Sequence, residues 1–376
     1  MTSRDELFKA AERLHAHLLG RHYAGGLVRG PDAGVRFNLR LWRFLKSAFA
    51  FIPWGDNYVF QQSQGYWVLA NWMLYELTGE ARYRHLAVES ANTTLRMQEP
   101  EGYWRYPLPE RRKLIATVEG NWGAMALLGT YARERLEGFR ASALRWYDFL
   151  MTRIGFQKHD PGKAVNYFQK PRGKVPNNSV EVVWVCLRLW KEAGEARFLE
   201  HLEPLLEFLE AVQLPSGELP YIVEGPHERA RAHYLCFQYN AFQFLKLAWS
   251  QRLRPSPRIA ALLKGLARFL EKGVTAAGSS AADCSHARPE VDYYTAVLAA
   301  ALYEVEQLGI ASKPGLSDRC YARLLARQRP DGSFYYSTGD YRLLSDKRSY
   351  PRPQVMTLFH LLYPVCGNGF ERQSKD

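Results

Sequence analysis

Acids, amides and aromatics recur together at six points of this 376-residue chain. WGDNYVFQQ brings Trp54, Asp56, Asn57, Tyr58, Gln61 and Gln62; VEGNW brings Glu119, Asn121 and Trp122; PNNSVE brings Asn177, Asn178 and Glu181. The second half brings Gln238, Tyr239 and Asn240, then Glu290, Asp292, Tyr293 and Tyr294, then Tyr350, Arg352 and Gln354. These types together suit a pyranose, whose rim hydroxyls pair with amides and carboxylates and whose weakly apolar faces lie on Trp and Tyr rings. Asp56, Glu119, Glu181 and Asp292 are the candidate catalytic acids, because glycosidic cleavage uses paired carboxylates. A lyase or epimerase would instead draw the proton beside a uronate carboxylate, with Arg352 neutralising that carboxylate and Tyr or His moving the proton. Trp54, Asn57, Tyr58, Gln61, Asn121, Trp122, Asn178, Gln238, Tyr239, Tyr293, Arg352 and Gln354 form the candidate binding set. Asp, Asn and Glu are also what helix starts select as caps, so each position carries both readings.

Each cluster opens a long apolar stretch with helical period, and almost nothing alternates with period two. The stretches begin at 55, 118, 176, 236, 289 and 350, and six amphipathic helices fall between them, near 5–19, 82–97, 138–154, 196–212, 256–271 and 315–327. From Asn57 through Asn121, Asn178, Tyr239 and Asp292 to Arg352 the steps are 64, 57, 61, 53 and 60 residues. A helical hairpin of about 58 residues therefore repeats six times. Helices apolar nearly all round, alternating with helices apolar on one face, predict an inner ring sheathed by an outer ring. The expected fold is all-α, an (α/α)6 toroid in one domain over 1–376, with the candidate pocket at the N-terminal ends of the inner helices, where amide dipoles favour anions.

A turn motif follows the same spacing. QEPEGYW at 98–104 returns as QLPSGEL at 213 and QRPDGSF at 328, two intervals of 115 residues. Gly supplies a left-handed cap where an outer helix ends, and the apolar residue after it can pack on the next hairpin. Gln98, Gly102 and Trp104 resemble the QxxxGxW element of triterpene cyclases, in the terpenoid cyclase and protein prenyltransferase toroids, and Gln328, Gly332 and Phe334 are a softer copy. The turns are also similar to those of toroidal carbohydrate-active proteins: six-hairpin glycosidases, polysaccharide lyases and uronyl epimerases. The terpenoid resemblance would imply DxDD or DDxxD, and neither occurs. The prenyltransferase resemblance would imply zinc on Asp, Cys and His, of which Asp283, Cys284 and His286 are the one cluster of those types. Three ligands in so short a loop are sterically awkward, so no metal and no cofactor is expected.

Composition bounds the rest. The net charge of +12 comes from 36 Arg and 14 Lys against 38 acids, which suits an anionic partner through the planar guanidinium fork. No nucleic-acid motif is present. Five dispersed cysteines without a CxxC predict buried thiols rather than a disulfide framework. With neither an apolar run of membrane length nor a leader pattern, the expected location is cytoplasmic. A basic aromatic segment at 35–54 suits peripheral contact with the inner membrane face or packing on the toroid. A charged loop at 334–350 precedes the last inner helix. The reading is a carbohydrate-active enzyme, a hydrolase, lyase or epimerase working on an anionic saccharide. Its rivals are an isoprenoid-handling toroid and a non-enzymatic repeat scaffold.

Overall fold

Apolar residues on every face of a helix force burial on every side, and six helices of this chain meet that demand by standing in a circle. The computed structural model describes residues 2–33, 40–108, 111, 113–284, 289–337 and 346–367. The inner helices are α3 (Gln61–Thr78), α5 (Thr117–Glu134), α7 (Pro176–Ala193), α9 (Cys236–Leu253), α11 (Asp292–Gln307) and α13 (Pro351–Cys366). Each touches the next, and α13 returns to α3, so the ring closes. The outer helices are α1 (Arg4–Arg21), α4 (Ala81–Arg96), α6 (Glu137–Phe149), α8 (Leu202–Val212), α10 (Pro257–Leu270) and α12 (Leu316–Leu325). A short helix, α2 (Arg40–Ala48), lies ahead of the first inner helix. The strands among the described residues are two or three residues long, pairing β1 (Tyr23–Ala24) with β2 (Leu27–Val28) and β3 (Phe156–Lys158) with β4 (Lys163–Val165). This is the toroid that the helical period predicts.

Aromatic rings close the axis of the toroid. Tyr66 of α3 stacks on Trp122 of α5 with centroids 4.0 Å apart, and Trp122 meets Trp184 of α7 at 5.7 Å. Trp184 meets Trp249 of α9 at 5.0 Å, Trp249 meets Phe359 of α13 at 6.1 Å, and Phe359 returns to Tyr66 at 5.2 Å. Beside this circuit the fully buried Lys246 ammonium pairs with Glu181, which also accepts the indole N–H of Trp122 at 3.3 Å. A filled axis leaves the ring's ends as the places where a ligand can enter.

The three turn motifs share one geometry. Gln98 donates to the carbonyl of Gly102 at 2.9 Å and to that of Ser142 on α6 at 2.9 Å. Gln213 donates to Gly217 at 3.0 Å and to Leu262 on α10 at 3.1 Å; Gln328 donates to Gly332 at 2.9 Å and to Ala10 on α1 at 2.8 Å. One side-chain amide thus fastens its own turn to the neighbouring outer helix, and the third copy fastens the end of the chain's circuit to its beginning. The glycine is required twice over at Gly217, where φ is 92° and an added Cβ would stand 2.0 Å from the carbonyl oxygen of Gly265.

Candidate functional site

Two residues beyond the apolar anchor of each motif stands a tyrosine: Tyr106 after Trp104, Tyr221 after Leu219, Tyr336 after Phe334. The three anchors are buried, and the tyrosines meet rings where inner helices begin: Tyr106 stands edge-on to Phe60, just ahead of α3, at 6.3 Å. Tyr336 stacks with Tyr293 of α11 at 6.0 Å, and Tyr221 meets Tyr239 of α9 at 5.1 Å and Tyr234 at 4.6 Å. Tyr167, from the segment ahead of α7, feels the fields of Tyr106, Tyr221 and Glu119. Tyr167, Tyr239 and Tyr293 are half-buried, and burial pushes their hydroxyls well above 10, as expected of the wall of a concavity. These phenols remain protonated donors at neutral pH.

Charge enters this crown at Arg352, on the first turn of α13. Its Nε and Nη2 donate to Asp32 Oδ2 and Oδ1 at 2.7 and 2.8 Å, a bidentate pair, while the guanidinium lies 4.3 Å from the centre of the Phe60 ring. Glu119 shares the fields of Arg352 and Asp32. It accepts the backbone N–H of Gln61 at 2.5 Å and a second from Gln62, capping α3 from the neighbouring helix. Burial outweighs those bonds and the pull of Arg352, raising the Glu119 carboxyl to about 7. Further out, cations lie over rings: Arg111 over Tyr106 at 5.9 Å, Arg172 over Phe168 at 6.0 Å, Arg231 over Tyr234 at 3.9 Å.

Several expected site residues have other employment. Asp292, raised to about 7 by burial against the opposing pull of Arg327, is ion-paired with that arginine on the turn after the outer helix α12. Asp56 accepts the indole N–H of Trp54 at 2.6 Å, and Trp54 stands edge-on to Tyr350. Glu181 belongs to the axial pair with Lys246. Of the four acids, Glu119 shares the field of Arg352, Glu181 turns to the axis, Asp292 turns to the outer ring, and Asp56 sits with Trp54 beside Tyr350, which packs on Tyr336. Helix-start acids can turn toward the mouth, the axis or the outer ring, and residue type does not distinguish these.

Amides divide similarly. Gln354 accepts from Phe334 N at 3.0 Å and donates to Phe334 O at 2.6 Å, holding the motif turn rather than lining the mouth. Gln64 holds Val28, and Asn240 holds Leu219, in the same two-bond way. Asn121 accepts from the Trp146 indole at 3.1 Å, and Trp122 is part of the axial circuit. Asn57 is exposed and Tyr58 half-buried, its backbone bridging Gly30. The other buried amides are different: Gln61 Oε1, Gln238 Oε1 and both polar side-chain atoms of Asn178 have no hydrogen-bond partner within the protein. Native proteins rarely leave such atoms alone, so hydroxyl-bearing partners suit them.

Segments 35–54 and 334–350 meet each other. Arg348 donates to the backbone carbonyls of Lys46 and Ile52, and Lys347 N donates to Ser47 O at 3.0 Å, so the charged loop caps the end of α2. Trp42, Phe49 and Phe51 are exposed there, Phe51 at 82%. Asp340 and Arg342 lie outside the described residues, as does His286. Sequence reasoning missed Asp32, Tyr106, Tyr167, Tyr221 and Tyr336. The motif's extension to Q-x-x-x-G-x-x-x-Y, present in all three copies, was the available signal for three of them.

The fold and its tyrosine-walled mouth define an (α/α)6 toroid of the six-hairpin kind. No protein-family model matches the sequence, and no curated protein matches it. Among solved structures, a cellobiose 2-epimerase from Bacillus thermoamylovorans is similar with TM-score 0.71 at 12% identity, covering 96% of this chain and 99% of that one. A glycosyl hydrolase family 88 protein from Bacteroides vulgatus gives 0.68 at 11%, over 97% and 99%. An unsaturated glucuronyl hydrolase from Bacillus sp. GL1, responsible for glycosaminoglycan degradation, gives 0.65 at 16%, over 96% of each chain. At these identities the likeness is one of fold. No helix among the described residues is long and apolar enough to cross a membrane.

Proposed function

We propose that this protein is a carbohydrate-active enzyme, a hydrolase, lyase or epimerase, that receives an anionic oligo- or polysaccharide in the mouth of its toroid. The observation that carries the reading is the crown of tyrosines around Arg352 and Glu119, rimmed by arginines over aromatic rings. Sugar faces would lie on the phenol rings, sugar hydroxyls would meet the phenol O–H groups and the unpartnered amides of Gln61, Asn178 and Gln238, and the uronate would approach Arg352. Arg352 Nη1 takes part in neither bond to Asp32, which leaves a donor edge for a second carboxylate.

Glu119 is the candidate proton donor. A carboxyl raised to about 7 keeps about half its population protonated at neutral pH, which a general acid for a departing glycosidic oxygen can use. Structures similar in fold are named for glycoside hydrolase families, glucuronyl hydrolysis, polysaccharide lysis or epimerisation of a sugar, which supports the class without choosing the reaction. A cytoplasmic protein touching the inner membrane face through the exposed Trp42, Phe49 and Phe51 fits the basic segment 35–54. Titration with a uronate-bearing oligosaccharide and its neutral counterpart tests the proposal. Saturable, salt-sensitive binding of the acidic one supports it; binding of polyprenyl compounds alone would transfer the mouth to the isoprenoid reading.

A further inference from the structure

Beside the mouth, on its rim, the second motif copy carries a residue that the others lack. The position after the glycine is Tyr103 in the first copy and Ser333 in the third, but Glu218 in the second, and that carboxylate is buried at 1% side-chain exposure. Its Oε2 lies 2.9 Å from His233 Nδ1 and 3.8 Å from Cys284 Sγ, while Oε1 has no hydrogen-bond partner within the protein. Cys236, the first residue of α9, places its Sγ 2.7 Å from Cys284 Sγ, which is 3.2 Å from His233 Nδ1. One donor atom from each of the four residues lies within 4.8 Å of every other.

Two thiols, an imidazole and a carboxylate converging from three separate segments make a donor set, not a hydrophobic contact. Tetrahedral zinc, with about 2.3 Å to sulfur and about 2.0 Å to nitrogen or oxygen, holds its ligand atoms roughly 3.3 to 3.8 Å apart, within the span of this cluster. Without a cation, a buried carboxylate and two thiols crowd their lone pairs together and leave Glu218 Oε1 unpaired. With one, the thiols ionise and the charges offset each other. Soft sulfur with one nitrogen and one oxygen selects zinc over magnesium or calcium.

We propose that Glu218, His233, Cys236 and Cys284 bind one zinc ion. The four protein ligands complete the coordination, so the ion is structural: it ties the segment ahead of α9 to the segment ahead of α11. Tyr221 and Tyr234 lie between Glu218 and Cys236 in sequence, so the ion fixes one wall of the mouth. The sequence leads to the expectation of no metal at Asp283, Cys284 and His286; of these Cys284 joins the donor set, Asp283 Oδ1 stands 3.8 Å from Cys236 Sγ, and His286 lies outside the described residues. The inference is independent of what the mouth binds.

The test uses the full chain, purified without a polyhistidine tag and without chelator. Elemental analysis is expected to find about one zinc per chain. Cobalt added to the chelated protein is expected to give a thiolate-to-metal charge-transfer band with the visible spectrum of tetrahedral cobalt. Cys284→Ser and His233→Ala change exposed positions, and circular dichroism checks that they fold. Each is expected to lower zinc retention at least tenfold, and chelation is expected to lower the Tm of the native chain but not of Cys284→Ser. The proposal is overturned if the native chain carries no zinc and gives no charge-transfer band, if folded Cys284→Ser keeps a full equivalent, or if mass spectrometry finds a Cys236–Cys284 disulfide in protein prepared under reducing conditions.

Discussion

Replacing Glu119 with Gln should change how stability depends on pH. The side chain is 2% exposed, and burial, acting against the Gln61 amide and Arg352, raises its carboxyl from 4.5 to about 7. A carboxyl raised on folding binds more protons in the folded state, so its stabilising contribution is complete below the unfolded value and is lost as pH rises through the folded one. For values of 4.5 and about 7 the loss between pH 5 and pH 8 is about 2.5 kcal/mol. Gln keeps the amide acceptor for Gln61 N–H but cannot titrate. Urea denaturation followed by tryptophan fluorescence across that range should therefore show the wild type losing about 2.5 kcal/mol relative to Glu119→Gln, the variant becoming the more favoured at high pH. Asp292 is raised to a similar value in both proteins and cancels in the difference. Parallel curves, separated by a constant offset, would refute the claim that Glu119 is held protonated near neutrality, and with it the candidate proton donor.

Lys246→Met should cost about 3 to 5 kcal/mol, because it strands Glu181 on the axis, and Glu181→Gln added to it should recover most of the loss in a double-mutant cycle. A single loss under about 1 kcal/mol would mean that the pair is not buried as described. Gly217→Ala, with φ of 92° and a contact at 2.0 Å, should lower the Tm several times further than Gly79→Ala, where φ is 72° and nothing lies within 4 Å. Equal effects would show that the motif turn does not touch α10.

The toroid was legible because apolar periodicity reports burial, and burial on all sides has few solutions. Helices expected near 82–97, 138–154 and 256–271 appear as Ala81–Arg96, Glu137–Phe149 with a π-helical turn through Ile154, and Pro257–Leu270. The site was less legible because the same amides and acids serve two ends of one helix turn. Gln354 and Asn240 are spent on motif turns, whereas Gln238, two residues from Asn240, has an unpartnered oxygen; a rotation of about 200° separates residues two apart on a helix. Asp32 was out of reach because its partner, Arg352, is 320 residues away in sequence. The buried cysteines were expected correctly for Cys186, Cys236 and Cys320, while Cys284 is exposed, since the loop that carries it lies on the rim.

The central claim is tested most directly by calorimetric titration of the native chain and of Arg231→Ala with a uronate-bearing oligosaccharide and its neutral counterpart, at low and high salt. Arg231 is exposed and lies over Tyr234, so its removal changes charge at the mouth without stranding a buried partner. The account predicts that the acidic sugar binds more tightly, that salt narrows the difference, and that Arg231→Ala weakens the acidic sugar by about 1 kcal/mol while leaving the neutral one nearly unchanged. Equal affinity for both sugars, or no binding of either, would contradict it.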